Sequence, residues 1–306
     1  MADGIDRAHP APGLLLRAAP LGFVLLWSSA FIAARIGLRL MSPLLFVAIR
    51  MALAAAVLLA VLLIQQARGR GRGFYGMRGL IVHCAVAGIL LNAVLLMTAH
   101  VAMGHIAAAP IALVQTLNPL LSAILAGPQL KERLSRLQWL GLGLGFSGVL
   151  LVVGRAALSA PAEFSGLILT AAGVIGLTGG TLYYGRFCRA APVLAGTTVQ
   201  FIAAAAFAWL GTAVFETPHA VWSPALVAAI AWNTIAVSLG GMALYVLLLT
   251  HGTVARAAGN FYLVPGMAGL LAWALLGERL AATTIAGLAI SALGCWLLSR
   301  RARRPA

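Results

Sequence analysis

Between Arg78 and Lys131 the chain carries no ionised side chain: the 52 residues from Gly79 to Leu130 hold no Asp, Glu, Lys or Arg. As a single helix rising 1.5 Å per residue, that run would be about 78 Å long, more than twice the roughly 30 Å of a bilayer's hydrocarbon core. It must turn back once, and Met103-Gly104-His105 up to Pro110 supplies the turn residues. Eight other uncharged stretches share its character: Ala18–Ala34, Met51–Ala67, Leu137–Gly154, Phe164–Gly185, Ala190–Phe215, Thr217–Ala255, Ala257–Gly277 and Leu280–Ser299. With 62% hydrophobic and 9% charged residues, against about 25% charged in soluble domains, the apolar surface cannot be confined to a core. The chain needs a lipid solvent.

The runs are continuously apolar, not alternating, which excludes a β-barrel. A membrane span takes about 20 apolar residues, so the sequence predicts an all-α polytopic membrane protein. Ten transmembrane helices are expected, at 20–38, 43–64, 79–98, 107–126, 137–154, 164–185, 192–214, 225–248, 256–275 and 281–299. The first span, followed by Ser29-Ala30, has the look of a signal peptide. Its apolar character continues through Ala34 with nine more spans after it, so it is read as a span.

Cytoplasmic loops of membrane proteins carry the excess of Lys and Arg. With the amino terminus inside, 16 of the 21 basic residues fall on inner segments, while Arg35, Arg39, Arg155 and Arg279 fall outside and Arg50 lies within the second span. Both termini are therefore expected in the cytoplasm, with a segment 1–19 before the first span and a basic tail 300–306 held to anionic lipid. The same clustering accounts for the +15 net charge without nucleic acid, because no basic face with interleaved aromatics exists.

Shifted by 146 residues, the chain matches itself at 16 of the 51 ungapped positions from His105–Arg155 against His251–Arg301. Nine matches are Ala or Leu. The other seven pair His105 with His251, Pro119 with Pro265, Glu132 with Glu278, Arg133 with Arg279, Gly141 with Gly287, Gly148 with Gly294 and Arg155 with Arg301. A shift of 146 residues equals five spans, an odd number, so the second copy must enter the membrane the other way up. The expected organisation is two inverted five-helix repeats, 20–154 and 164–299. Such symmetry allows a central site to open to one side and then to the other.

Trp27-Ser28-Ser29-Ala30-Phe31, Pro43 with Arg50, Leu117-Asn118-Pro119-Leu120 before Lys131-Glu132-Arg133-Leu134, and Val264-Pro265 before Gly277-Glu278-Arg279-Leu280 stand in that order along the chain. In this sequence they resemble the drug/metabolite transporter superfamily, in its EamA-type exporter branch, from Leu21 to Ser299. The resemblance implies a bacterial inner-membrane carrier exporting amino acids or related metabolites, with the first, third, fourth, sixth, eighth and ninth spans around the cavity.

Polar side chains in those spans are the expected substrate contacts: Trp27, Ser28, Ser29, Asn92, Gln115, Asn118, Tyr183, Asn233, Tyr245, Asn260 and Tyr262. An amide in hydrocarbon without a partner costs several kcal/mol, so Asn92, Gln115 and Asn233 must face a cavity or bond a neighbouring helix. A serine can instead bond back to its own helix. The tyrosines fit an aromatic wall or the interfacial belt equally, and Tyr184 fits the belt. Pro119 and Pro265 each remove a helical hydrogen bond, giving a bend for gating or a static kink. Arg50 can snorkel to the outer surface or neutralise a substrate carboxylate. Glu132-Arg133 and Glu278-Arg279 stand at helix starts, where a glutamate complements the dipole, and read as capping elements.

All six acids, Asp3, Asp6, Glu132, Glu163, Glu216 and Glu278, fall at or outside span ends, which argues against proton antiport through an intramembrane glutamate. His83, His100 and His105 also lie near span ends and read as interfacial. Gly143-Leu144-Gly145-Phe146-Ser147-Gly148 matches GxGxxG by letter, but no strand precedes it and its glycines suit helix packing. No cofactor, metal cluster or nucleophile-base pair is expected. Cys84, Cys188 and Cys295 read as small packing residues. An enzyme acting on lipid-linked substrates would need His, Asp or Glu clustered at one face; a non-transporting accessory or sensor subunit is the other alternative.

Overall fold

A computed structural model describes residues 14–69, 73–118, 121, 125, 136–159, 161–241, 244, 247–248 and 263–299. Among them the chain is helical and forms no strand, with one isolated bridge between Met41 and Ala220. The helices are α1 (Leu14–Gly37), α2 (Pro43–Ala67), α3 (Ile81–Ala102), α4 (Ala108–Gln115), α5 (Arg136–Ser159), α6 (Pro161–Phe187), α7 (Val193–Phe215), α8 (Pro224–Gly241), α9 (Val264–Leu276) and α10 (Ala282–Ser299). Six of these, α1 from Ala18, α2, α3, α6, α7 and α8, are long and apolar enough to cross a membrane. The turn expected after Met103 falls where α3 ends at Ala102 and α4 begins at Ala108. The bundle exposes many large apolar side chains, among them Val82, Ile175, Leu210 and Phe215, a surface that an apolar solvent must cover.

Two connections fix which helix ends lie together. The α1–α2 turn is stitched to the segment before α8: Ser42 N donates to His219 O (3.1 Å) and Val221 N to Leu40 O (2.7 Å). Glu216, at the end of α7, accepts from Leu44 N (3.1 Å) and Leu45 N (2.9 Å). These are orphan donors of α2's first turn, and a carboxylate there also meets the positive end of the helix dipole, together worth about 1 kcal/mol. At the opposite end Leu62, Met77, Cys84, Cys188 and Ala191 form one buried cluster that joins the α2–α3 and α6–α7 connections. Cys84 and Cys188 are both free and buried there, as small packing residues.

The helices pair in a regular scheme. α2 packs on α7, α5 on α10 and α4 on α9; α3 packs on α6 and α7, while α8 packs on α1 and α2; α1 meets α9 and α6 meets α4. Glycine sets the closest crossings. A Cβ on Gly88 of α3 would overlap the Gln200 main chain of α7; one on Gly148 would overlap Gly287 and Ser291 of α10, and one on Gly294 would overlap Gly141 and Gly145 of α5. Ser291 Oγ donates to Gly145 O at 3.1 Å. Rising numbers on α5 thus meet falling numbers on α10, so the two helices run antiparallel.

Both α3 and α8 widen into π-helical turns, over Ile89–Val94 and Trp232–Gly241. Shifted by 146 residues, the first falls inside the second. Such turns loosen the i→i−4 ladder and occur often at functional sites.

Candidate functional site

At the end of the bundle that holds the α1–α2 turn, Arg35 in the last turn of α1 reaches across to the α9–α10 turn. Its Nε lies 3.0 Å from Glu278 Oε1, and its Nη1 donates to the carbonyls of Met103 and Ile106 in the α3–α4 corner. One guanidinium therefore joins three elements remote in sequence. Gly277, at φ 68°, ends α9 in the left-handed conformation that glycine adopts without penalty and aims Glu278 inward. Glu278 precedes the first residue of α10, Ala282, so it acts as Arg35's partner and not as the helix cap that sequence position suggested. Its Oε2 is buried with no partner among the described residues.

A second polar group lies where α2 passes between α3 and α8. Arg50 is 5% exposed, buried in the bundle instead of snorkelling to the surface, and its Nε donates to Ser238 Oγ at 3.1 Å. Ser238 in turn donates to Asn233 O at 3.0 Å, a carbonyl that the π turn offers to a side chain five residues on. Asn233 is fully buried; its Nδ2 donates back to Ala229 O (3.2 Å), leaving Oδ1 without a described partner. His100, read from sequence as interfacial, is 2% exposed. It stacks on Phe46 with ring centroids 5.6 Å apart.

The other sequence candidates divide between ties and open groups. Ser28 Oγ donates to Val264 O at 3.2 Å, fastening α1 to the first residue of α9, beside Pro265. Ser29 donates to Leu26 O (2.7 Å) and accepts from Trp232 Nε1 (2.8 Å), so it bonds its own helix and joins α1 to α8. Asn118 accepts from Thr178 Oγ1 of α6 at 3.0 Å. Trp27 packs at a tilt against Phe23 (ring centroids 5.3 Å apart) and covers Gly241 of α8. Tyr183 hydroxyl and His83 Nδ1 are 2.8 Å apart, next to Phe187, in the cluster at the opposite end of the bundle and not at mid-bundle. Tyr184 packs in that same cluster. Asn92, inside the α3 π turn, and Gln115, at the end of α4, are half-buried, and their side chains bond no described residue. Pro265 lines a half-open apolar cavity of about 230 Å³ with Leu113, Thr116, Gly266 and Ser291. Tyr245, Asn260, Tyr262, Pro119 and the Glu132-Arg133 pair lie outside the described residues.

Sequence reasoning missed the Arg35–Glu278 contact, His100, Thr178 and Trp232. A signal for the first was present: Arg35 and Arg279 stand on the side that the charge rule leaves poor in cations, and a basic residue there asks for a local reason. Among the described residues no three His, Cys, Asp or Glu side chains converge as a metal site.

Residues 15–154 match the model of the EamA-like transporter family. A solved structure described as a crystal structure of a protein is similar to this chain at 21% identity and a TM-score of 0.64, covering 92% of this chain and 95% of its own; at that identity the likeness speaks to the fold alone. No curated protein matches the chain.

Proposed function

We propose, from the premise that residues 15–154 place this chain in the EamA-like transporter family of the drug/metabolite transporter superfamily, that it is a secondary carrier working by alternating access. Two inverted repeats, 20–154 and 164–299, each supply five spans, with α4, α5, α9 and α10 among them. The carrier exports small amphipathic metabolites such as amino acids across a bacterial inner membrane, with both termini in the cytoplasm.

The α5–α10 contact carries this reading. Under the 146-residue shift Gly148 becomes Gly294, Gly141 becomes Gly287 and Gly145 becomes Ser291. Gly148 meets Gly287 and Ser291, Gly294 meets Gly141 and Gly145, and Ser291 bonds Gly145. Reciprocal contacts of this kind are those of a two-fold axis. The remaining pairs follow the same rule: a five-helix shift turns α3 on α6 into α8 on α1, and α1 on α9 into α6 on α4. Antiparallel α5 and α10 support inversion of the second copy.

In this reading the Arg35–Glu278 contact closes the outer end, and Arg186 stands in the last turn of α6 as Arg35 does in that of α1. Asn92 and Gln115 offer unbonded amides to the cargo, with Trp27, Ser28, Ser29, Asn118, Tyr183, Asn233, Tyr245, Asn260 and Tyr262 as further contacts. Pro119 and Pro265 are the pivots that move, Pro265 at the start of α9, where its missing N–H removes no helical bond, contrary to the kink its sequence position suggested.

Arg133→Cys and Arg279→Cys, each in a cysteine-free background, should react with an impermeant maleimide from opposite membrane faces. In liposomes the protein should move a labelled amino acid or nucleoside, and Asn92→Leu should lower that flux at least tenfold while inserting normally. Labelling of both cysteines from one face would overturn the inverted architecture, and absence of flux across such a panel would overturn the carrier reading.

A further inference from the structure

We infer that Arg50, Asn233, Thr234 and His100 form an anion site inside the bundle that takes the carboxylate of a small hydroxy- or amino-carboxylate. As a statement about cargo this rests on the carrier reading above; as a statement about binding it does not.

The inference starts from an uncompensated charge. A guanidinium stays protonated, and burying it without a counter-charge costs several kcal/mol. Arg50 is 5% exposed, and its described bond goes to a neutral hydroxyl. The described carboxylates are placed elsewhere: Glu216 at the start of α2, Glu278 on Arg35, Glu163 in the first turn of α6. Packing does not demand the charge either. Arg50 is the eighth residue of α2, and the eighth residue of α7, the helix it packs against, is neutral Gln200.

Around Arg50 stand buried polar atoms with no described partner: Asn233 Oδ1, Thr234 Oγ1 and His100 Nε2. Folded proteins rarely leave such groups unmet. Contacts bring them to one place. His100 stacks on Phe46, one turn before Arg50 on the same face of α2. Phe46 belongs to a buried cluster with Ala229 and Ile230, one turn before Asn233 and Thr234.

The donor and acceptor inventory sets the ligand. With Nε committed to Ser238, both Nη atoms keep their N–H donors, a fork that suits a carboxylate. Asn233 Oδ1 only accepts. His100 Nδ1 lies 2.7 Å from Leu96 O, itself an acceptor, so Nδ1 carries the ring proton and the neutral ring's Nε2 accepts. A cationic fork beside two acceptors calls for an anion that also carries a donor, as a hydroxyl or ammonium next to a carboxylate does. Chloride would satisfy the fork and leave the acceptors unmet.

The test is thermal melting and tryptophan fluorescence of the whole protein in nanodiscs, titrated at constant ionic strength with alanine, lactate, alaninamide and sodium chloride. Alanine and lactate should give saturable shifts, with alaninamide and chloride giving none. Arg50→Gln should weaken carboxylate binding at least tenfold, and Asn233→Leu should weaken it less. Equal responses to alanine and alaninamide, a response to chloride alone, or a folded Arg50→Gln variant with unchanged binding would each overturn the site. If Arg50→Gln does not fold, the wild-type comparison of alanine with alaninamide decides alone. Flux separates this from the carrier reading: a protein that moves nucleosides but ignores carboxylates loses the site and keeps the carrier, and one that binds carboxylate but moves nothing does the reverse.

Discussion

Reversing either charge of the Arg35–Glu278 pair is expected to lower transport at least tenfold, and exchanging the two residues is expected to restore a substantial part. The pair lies across 243 residues of sequence, with side chains 27% and 15% exposed. It is wet enough that its Coulomb energy is modest and dry enough that an unmatched carboxylate there is costly, about 1–3 kcal/mol after allowing for screening. Arg35→Glu sets two carboxylates face to face and also removes the donor to the Met103 and Ile106 carbonyls, so α1, the α3–α4 corner and the α9–α10 turn lose their common tie. The exchange Arg35→Glu with Glu278→Arg rebuilds the ion pair but not the carbonyl bonds, which is why recovery should be partial. Flux into liposomes with melting temperature as the control for folding reads both effects. Single reversals that transport like wild type, or an exchange no better than either single change, would remove the pair from the mechanism.

The largest stability effect is expected at Gly88. A side chain there would meet the main chain of Gln200, and only separation of α3 from α7 relieves that. Overpacking against movable side chains costs about 1–3 kcal/mol, and a backbone obstacle leaves no cheaper relaxation, so Gly88→Val should prevent accumulation of folded protein. Gly143 gives the matched control. Nothing lies within 4 Å of a Cβ at that position, and Gly143→Ala should be neutral or slightly stabilising, since alanine is favoured over glycine in a helix by about 1 kcal/mol. Size-exclusion profiles of detergent extracts and melting curves distinguish the two. A Gly88→Val protein that melts like wild type would mean the α3–α7 crossing is looser than its glycine implies.

The GxGxxG run shows how far letters alone go. Gly143 faces open space, whereas Gly145 and Gly148 meet α10. The sequence argument for helix packing over nucleotide binding depended on the surrounding run being an apolar helix, and that much was legible. Which glycine touches what was not, because it follows from the rotation of α5 against a partner about 146 residues away. Ser29 behaves alike: its bond to its own helix was foreseeable from local geometry, its bond from Trp232 was not.

What the sequence determined by itself is the lipid-seeking, helical character of the chain and most helix positions to within a few residues, since hydropathy is written locally and needs no partner to be read. Tertiary structure decided which polar residues are buried without partners and which are tied. Arg50 and His100 lie inside the bundle, and Glu278 answers Arg35 across it. Whether a charge in a span is tolerated, paired or left waiting for a ligand depends on what the neighbouring helices bring within 3 to 4 Å, and contacts at that range between residues far apart in the chain exist only once the helices have packed.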